Sequence, residues 1–178
     1  VQGGAPDADL YAYGALGDGG AAVSEIVSGI DYCLNQDCDI INLSLGGSHS
    51  AVLESIIESA QSEGAVIISS AGNAGPGRST VSCPAHHDET VAVGSIATSG
   101  EVAAFSSRGP GWSDAVQKPD VMAYGGSATL EDGNIQVSEA VLGAGTNGRG
   151  AYLLGTSMAA PQVSAMAALR VARQREGL

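Results

Sequence analysis

The chain has 178 residues, 44% of them apolar, enough for one domain with a real core. Nineteen acidic residues against seven basic ones leave a net charge of −12, which repels nucleic-acid phosphates and anionic lipid and disfavours both as partners. No run approaches the ~18 consecutive apolar residues of a membrane span. The same acidity suits either a plain solubilising surface or adaptation to high salt. Aromatics are only 4%, so the core must come from Ala, Val, Ile and Leu, and the 26 glycines, without a collagen period, imply many tight turns.

In chain order, Leu10 to Leu16 reads as a short strand. Val23, Ile26, Val27, Ile30, Cys33 and Leu34 fall at helical spacing, with Glu25 and Asp31 on the other side. Asp39 to Leu45 reads as a buried strand stopped by Gly46-Gly47. Ser50 is placed to cap a second helix, with Leu53, Ile56, Ile57 and Ala60 inward and Gly64 past its end. Ala65 to Ser70 and Thr90 to Ile96 are further strands. Asn147-Gly148 signals a hairpin turn between Val137–Leu142 and Ala151–Leu154. A long Ala-rich helix runs from about Ser157 to Arg175, with Pro161 in its first turn and Arg170, Arg173 and Arg175 towards its end. Strands alternating with amphipathic helices predict an α/β fold with a mainly parallel sheet covered on both faces. In such sheets functional groups sit beyond the strand C-termini, here at Gly46-Gly47 and Ala71-Gly72-Asn73.

Cys33 and Cys38 are close enough for a small-loop disulfide that leaves Cys83 free; three buried thiols fit equally well. His49, His86 and His87 lack zinc-ligand spacing and read as loop histidines. Gly143 to Gly148 matches the dinucleotide fingerprint by letter. However, no helix opens there and no acidic residue follows at the required distance, so it reads as hairpin. The phosphate-loop and Gly-x-Ser-x-Gly patterns are absent. The sequon Asn42-Leu43-Ser44 is set aside because it falls in a strand expected to be buried.

One motif carries chemistry: Gly155-Thr156-Ser157-Met158-Ala159-Ala160-Pro161. A serine in the first turn of a buried helix lies beside unpaired backbone N–H groups, which favour an oxyanion formed there. Taken alone, the segment reads by default as Ser157 serving as a simple N-cap.

The wider pattern decides between these. Gly155–Pro161 looks like the nucleophile motif of the subtilisin family of serine proteases. Ser70-Ala71-Gly72-Asn73-Ala74-Gly75 resembles its oxyanion-hole segment, and Asn42-Leu43-Ser44-Leu45-Gly46-Gly47 its substrate-binding strand. Phe105-Ser106-Ser107-Arg108-Gly109-Pro110 and Lys118-Pro119-Asp120-Val121 match two further segments, all in family order. The resemblance implies a three-layer subtilisin-like fold, incomplete at both ends, and a serine endopeptidase acting on polypeptides. It implies Ser157 as nucleophile and Asn73 as side-chain oxyanion donor. Ser44, Leu45 and Gly46 are then the substrate strand, with Ser70, Ala71 and Gly72 across the S1 pocket and Ser82 near its floor. Asn73 also separates the chain from the related sedolisins, which carry Asp there. Secretion is implied by the family.

The pattern also breaks. The family's Asp segment and its His-Gly-Thr-His segment are missing, and residues 1–10 resemble the stretch after the catalytic-histidine helix. The triad's Asp and His are therefore expected on an upstream portion of the same domain, a required partner, and the isolated chain is expected to be inactive. The competing reading is a catalytically dead module that binds peptides through Ser44–Gly46. No cofactor is required; a structural calcium or sodium ion at the backbone carbonyls of Ala85, His87 and Thr90 is the one metal expectation. Gln162 stands where the family has His, and Ala123-Tyr124-Gly125 where it has Ala-Pro-Gly.

Overall fold

The computed structural model describes residues 3–17, 20–111, 113–131 and 134–177. Four strands, β1 (Ile40–Leu43), β2 (Val66–Ser70), β3 (Thr90–Ile96) and β4 (Val121–Tyr124), pair in parallel in sequence order. Three helices cover them: α1 (Val23–Asn35), α2 (Ala51–Ser62) and α3 (Thr156–Arg175). Successive strand residues face opposite sides, and Ile67 and Ile68 show the consequence. Ile67 joins Ile30, Ile41, Leu43, Leu53 and Ile57 in one core with α1 and α2. Ile68 joins Val93, Ala159 and Ala160 in a second core beneath α3. The result is the three-layer α/β arrangement expected from the sequence, with both sheet faces covered.

Local signals account for the elements that position the site. Ser50 caps α2 by accepting the Leu53 N–H at 3.3 Å, satisfying one donor the helix leaves unpaired. The parallel register carries the ends of β1 and β2 to the same edge, Leu43 lying opposite Ser69. Ser44–Gly47 and Ala71–Asn73 therefore emerge side by side, and the N-terminus of α3 arrives between them.

The structure corrects several expectations. Residues 10–16 form no strand; Leu10 is 92% exposed, and Tyr13 instead packs its ring 5.7 Å from Tyr32. β1 is shorter than predicted, and Asn42 in its middle is exposed, so the sequon was set aside on a wrong premise. The strand expected over 137–142 is split at Ala140. Its first part is β6 (Asn134–Glu139), antiparallel to β5 (Ser127–Glu131), and its second is β7 (Val141–Ala144), paired with β8 (Gly150–Leu153). The cause lies at the break: the Tyr124 hydroxyl donates to the Ala140 carbonyl at 3.4 Å, and Thr98 pins Glu139 through its amide at 2.8 Å and its hydroxyl at 2.6 Å. Thr146–Gly148 is a single 3-10 turn in the β7–β8 loop, so the dinucleotide fingerprint indeed opens no α-helix. All three cysteines are free thiols, and burial raises the pKa of each. Pro161 lies inside α3 beyond its first turn.

Ile57 is fully buried where α2 meets the sheet. Ile57→Ala should lower the unfolding free energy by about 2–5 kcal/mol, read as a fall in urea midpoint at unchanged slope. A shift within error would show that this core does not hold the layers together.

Candidate active site

The site grows from the start of α3. Gly155, just before the helix, has φ +145°, a conformation that L side chains rarely adopt, and a Cβ there would lie 3.3 Å from Asn73 Nδ2. Thr156 follows, fully buried. Its backbone N–H and its hydroxyl both donate to Asn73 Oδ1, at 2.9 and 3.0 Å, while the hydroxyl accepts the Gly72 N–H at 3.1 Å. Two donors on one oxygen fix the Asn73 amide, leaving its NH2 group as the end that can donate elsewhere. The Met158 N–H is taken by the Gly155 carbonyl at 3.0 Å. Between the Thr156 and Met158 amides lies the Ser157 N–H, one of the first-turn donors that a helix does not use internally.

Pro161 shapes the other side of Ser157. Lacking an N–H, it cannot bond the carbonyl four residues back, which is that of Ser157. The Ser44 hydroxyl donates to this freed carbonyl at 2.8 Å and itself accepts Asn42 Nδ2 at 2.9 Å. Asn42 in turn accepts the Ser164 hydroxyl at 2.9 Å. A polar chain thus locks the end of β1 to α3. Among the described residues the Ser157 hydroxyl makes one long contact, donating to the Ser44 carbonyl at 3.4 Å.

Ser157 and Asn73 line a common cavity of about 300 Å³. Of the residues singled out from sequence, Leu45, Gly46, Ser70, Gly72 and Ser82 line it too. Gly46 lets Ser82 approach closely: a Cβ there would lie 2.5 Å from Ser82 Oγ and force that hydroxyl to turn away. The Ser82 hydroxyl is buried and has no hydrogen-bond partner among the described residues. Ser70 braces the opposite segment by donating to the Leu45 carbonyl at 3.2 Å. One residue is placed differently from expectation: Ala71 is fully buried behind the cavity, where its carbonyl accepts the Ser82 N–H. Ser44, expected in the substrate strand, also contacts Ser157 through its hydroxyl and its carbonyl. Gly47 and Ala74, within segments the sequence pointed to, line the cavity as well, whereas sequence reasoning gave no site role to Thr80 or Ser107, nor to Thr156 as the clamp on Asn73. The signal for Thr156 was present inside the Gly155–Pro161 motif.

The two departures from the family pattern meet each other: Gln162 Nε2 donates to the Tyr124 carbonyl and, at 3.3 Å, to that of Met158. The carbonyls of Ala85, His87 and Thr90 do not suit a metal ion. Thr90 O already accepts the Lys118 ammonium at 2.6 Å, an internal cation whose side chain is 2% exposed and also pairs with Asp120 at 2.9 Å. His87 O accepts the Thr90 hydroxyl at 2.9 Å.

The three histidines lie in loops, as the sequence suggests, but the fold brings them together. His49, His86 and His87 converge, each offering a ring nitrogen within 4.8 Å of the others. They flank a second cavity of about 260 Å³, lined by His49 and His86, that shares Gly47 and Ser82 with the first. Burial and the neighbouring His87 and His49 rings push the His86 pKa down to about 4, and burial lowers that of His87. Both rings are therefore neutral at pH 7.

Thr156→Val keeps the shape but removes the hydroxyl, leaving the Gly72 N–H unpaired and Asn73 held by one donor. Stability should fall by about 1–3 kcal/mol, and the Asn73 side-chain amide signals should broaden or shift in NMR spectra. Unchanged amide signals would dismiss the clamp.

The Subtilase family model matches residues 1–176. Subtilisin E of Bacillus subtilis (strain 168) is 39% identical over 173 residues, covering 95% of this chain and 40% of that protein. Subtilisin of Bacillus pumilus is 38% identical over 173 residues, covering 95% of this chain and 56% of that protein. Among solved structures, the S41 psychrophilic protease superposes with a TM-score of 0.78 at 33% identity, over 96% of this chain and 56% of its own. Sphericase gives 0.73 at 32%, over 92% and 54%. The chain thus spans about half the length of the relatives it matches. By its motifs, its three-layer fold and this match along nearly its whole length, the chain belongs to the subtilase family.

Proposed function

We propose that this chain carries the nucleophile and oxyanion half of a serine endopeptidase. The observation that carries the reading is the Thr156–Asn73 clamp. With Oδ1 held by two donors, the Asn73 NH2 group is the end that can donate into the cavity it shares with Ser157. In the reaction the Ser157 oxygen attacks the scissile carbonyl carbon as a general base takes its proton. The carbonyl π electrons move onto oxygen, where Asn73 Nδ2 and the Ser157 N–H stabilise the charge. Collapse expels the amine, which takes the proton back, and leaves an acyl-enzyme; water then attacks by the same route in reverse and frees Ser157.

The base comes from outside this chain. Two of the three histidines line a different cavity, and among the described residues the Ser157 hydroxyl meets the Ser44 carbonyl alone. An upstream portion of the same domain, bearing Asp and His, supplies the base, and the isolated chain is inactive. Large apolar side chains left exposed support such a partner: Leu10, Leu16, Met166 and Leu169 are 92, 59, 70 and 47% exposed. No cofactor takes part in this chemistry.

The substrate is a polypeptide laid along Ser44–Gly46 as an added strand. Among the described residues no charged side chain lines the 300 Å³ cavity, and the Ser82 hydroxyl in its wall can accept or donate. A sizeable neutral side chain is the fit. The acidic surface disfavours nucleic acid, and no helix among the described residues is long and apolar enough to cross a membrane. We place the enzyme outside the cell, as the family resemblance implies.

Incubation of the whole enzyme with a fluorophosphonate should label Ser157, and Ser157→Ala should abolish both label and proteolysis. A folded enzyme that binds peptide but does not label would instead favour the peptide-binding module. Asn73→Leu should cut kcat about 10²–10³-fold with little change in KM, a magnitude taken from subtilisin itself; an unchanged kcat would remove Asn73 from the oxyanion site.

Met158 adjoins the nucleophile in the first turn of α3. Mild peroxide should convert it to the sulfoxide and lower activity, whereas Met158→Ala should resist. Equal loss in both proteins would place the damage elsewhere.

A further inference from the structure

We propose that His49, His86 and His87 form a binding site for a divalent transition-metal ion, with Zn²⁺ best suited to its donors. The three residues come from two separate loops. His49 follows β1 and the Gly46-Gly47 turn, while His86 and His87 follow the Ser82-Cys83 segment between β2 and β3. Neither their order nor their spacing resembles a metal motif; the fold alone assembles them.

Four observations support a site rather than a chance cluster. One ring nitrogen from each residue lies within 4.8 Å of the others. In a tetrahedral zinc site with Zn–N bonds of 2.0–2.1 Å, ligand nitrogens stand about 3.4 Å apart, so modest side-chain rotations close the gap. The rings of His86 and His87 sit 4.2 Å apart between centroids, and His49 lies 5.7 and 5.8 Å from them. His86 and His87 are buried while His49 is exposed, which gives an ion a way in. A 260 Å³ cavity lined by His49 and His86 leaves room for the ion and a water ligand.

The surroundings of His87 fit a ligand's second contacts. Glu54 Oε1 stands 3.7 Å from Nδ1, so a small shift would make the carboxylate–imidazole contact that orients a ligating ring. At the opposite nitrogen, Nε2, lies the Cys83 sulfur at 3.6 Å. A thiol is a weak hydrogen-bonding group and yields the position to a cation. Imidazole donors suit Zn²⁺, Cu²⁺ or Ni²⁺, whereas Mg²⁺ and Ca²⁺ need oxygen ligands that the trio does not offer.

The position gives the ion a structural consequence. Gly47 and Cys83 already exchange backbone hydrogen bonds of 2.9 and 3.2 Å. A metal held by His49, His86 and His87 cross-links the same two loops a second time, directly beside the Ser157 cavity.

The test is binding to the whole, folded, metal-stripped protein. Zn²⁺ is titrated by calorimetry in excess Mg²⁺, which occupies the surface carboxylates of this acidic chain. Saturation at one Zn²⁺ per chain is expected, with a rise in thermal midpoint. Co²⁺ should give the intense visible spectrum of a four-coordinate ion and be displaced by Zn²⁺. His49→Ala, at an exposed position, should keep the native circular-dichroism spectrum yet bind at least tenfold more weakly. Glu54→Gln should weaken binding about 10–100-fold. Absence of saturable binding, or equal affinity in wild type and His49→Ala, would overturn the proposal.

Discussion

Everything around Ser157 depends on a carbonyl that the helix cannot use. Pro161 removes the N–H that would have bonded the Ser157 carbonyl, and the Ser44 hydroxyl takes its place at 2.8 Å. A missing helical bond thereby becomes a tertiary one. It couples the end of β1 to the start of α3, and the Asn42–Ser164 contact extends that coupling about two turns further. The carbonyl of that same Ser44 receives the Ser157 hydroxyl. The position of the nucleophile is thus set by a proline on its own helix and a serine from another layer.

A second constraint sets the orientation of Asn73. An asparagine amide has two ends of similar shape, and only hydrogen bonding distinguishes them. Thr156 does so by presenting two donors to one oxygen, while Gly72 holds the Thr156 hydroxyl in place. These residues come from the end of β2 and the start of α3, which the parallel sheet brings together at the carboxyl ends of its strands. The glycines at 46 and 155 make room for this: a side chain at either would enter space already held by Ser82 or Asn73.

Charge is handled by similar local substitutions. The Lys118 ammonium, inside the protein, meets the Thr90 carbonyl and Asp120, which in turn accepts the Ala92 N–H at 2.7 Å. A built-in cation there satisfies the Thr90 carbonyl, one of the three oxygens that the resemblance to the family assigns to a metal ion. Nearby, the three histidines gather nitrogen donors rather than oxygen ones.

The sequence by itself determined the helices, the inner strands and the Ser157 motif. These rest on short-range information: apolar spacing for α1 and α2, the Ser50 cap, the apolar runs of β2 and β3, and residues adjacent in a motif. It misjudged elements whose partners lie far along the chain. The segment 10–16 has the apolar residues of a strand but no strand beside it, and 137–142 is divided by a contact from Tyr124. Only the tertiary structure decided which residues of the site meet. Thr156 became the clamp on Asn73, Ala71 withdrew behind the cavity, and Ser44 turned to Ser157, because each depends on the packing of α3 across the sheet. The three histidines make the same point: 37 residues separate His49 from His86, and no local pattern records that two loops fold back to place their rings together.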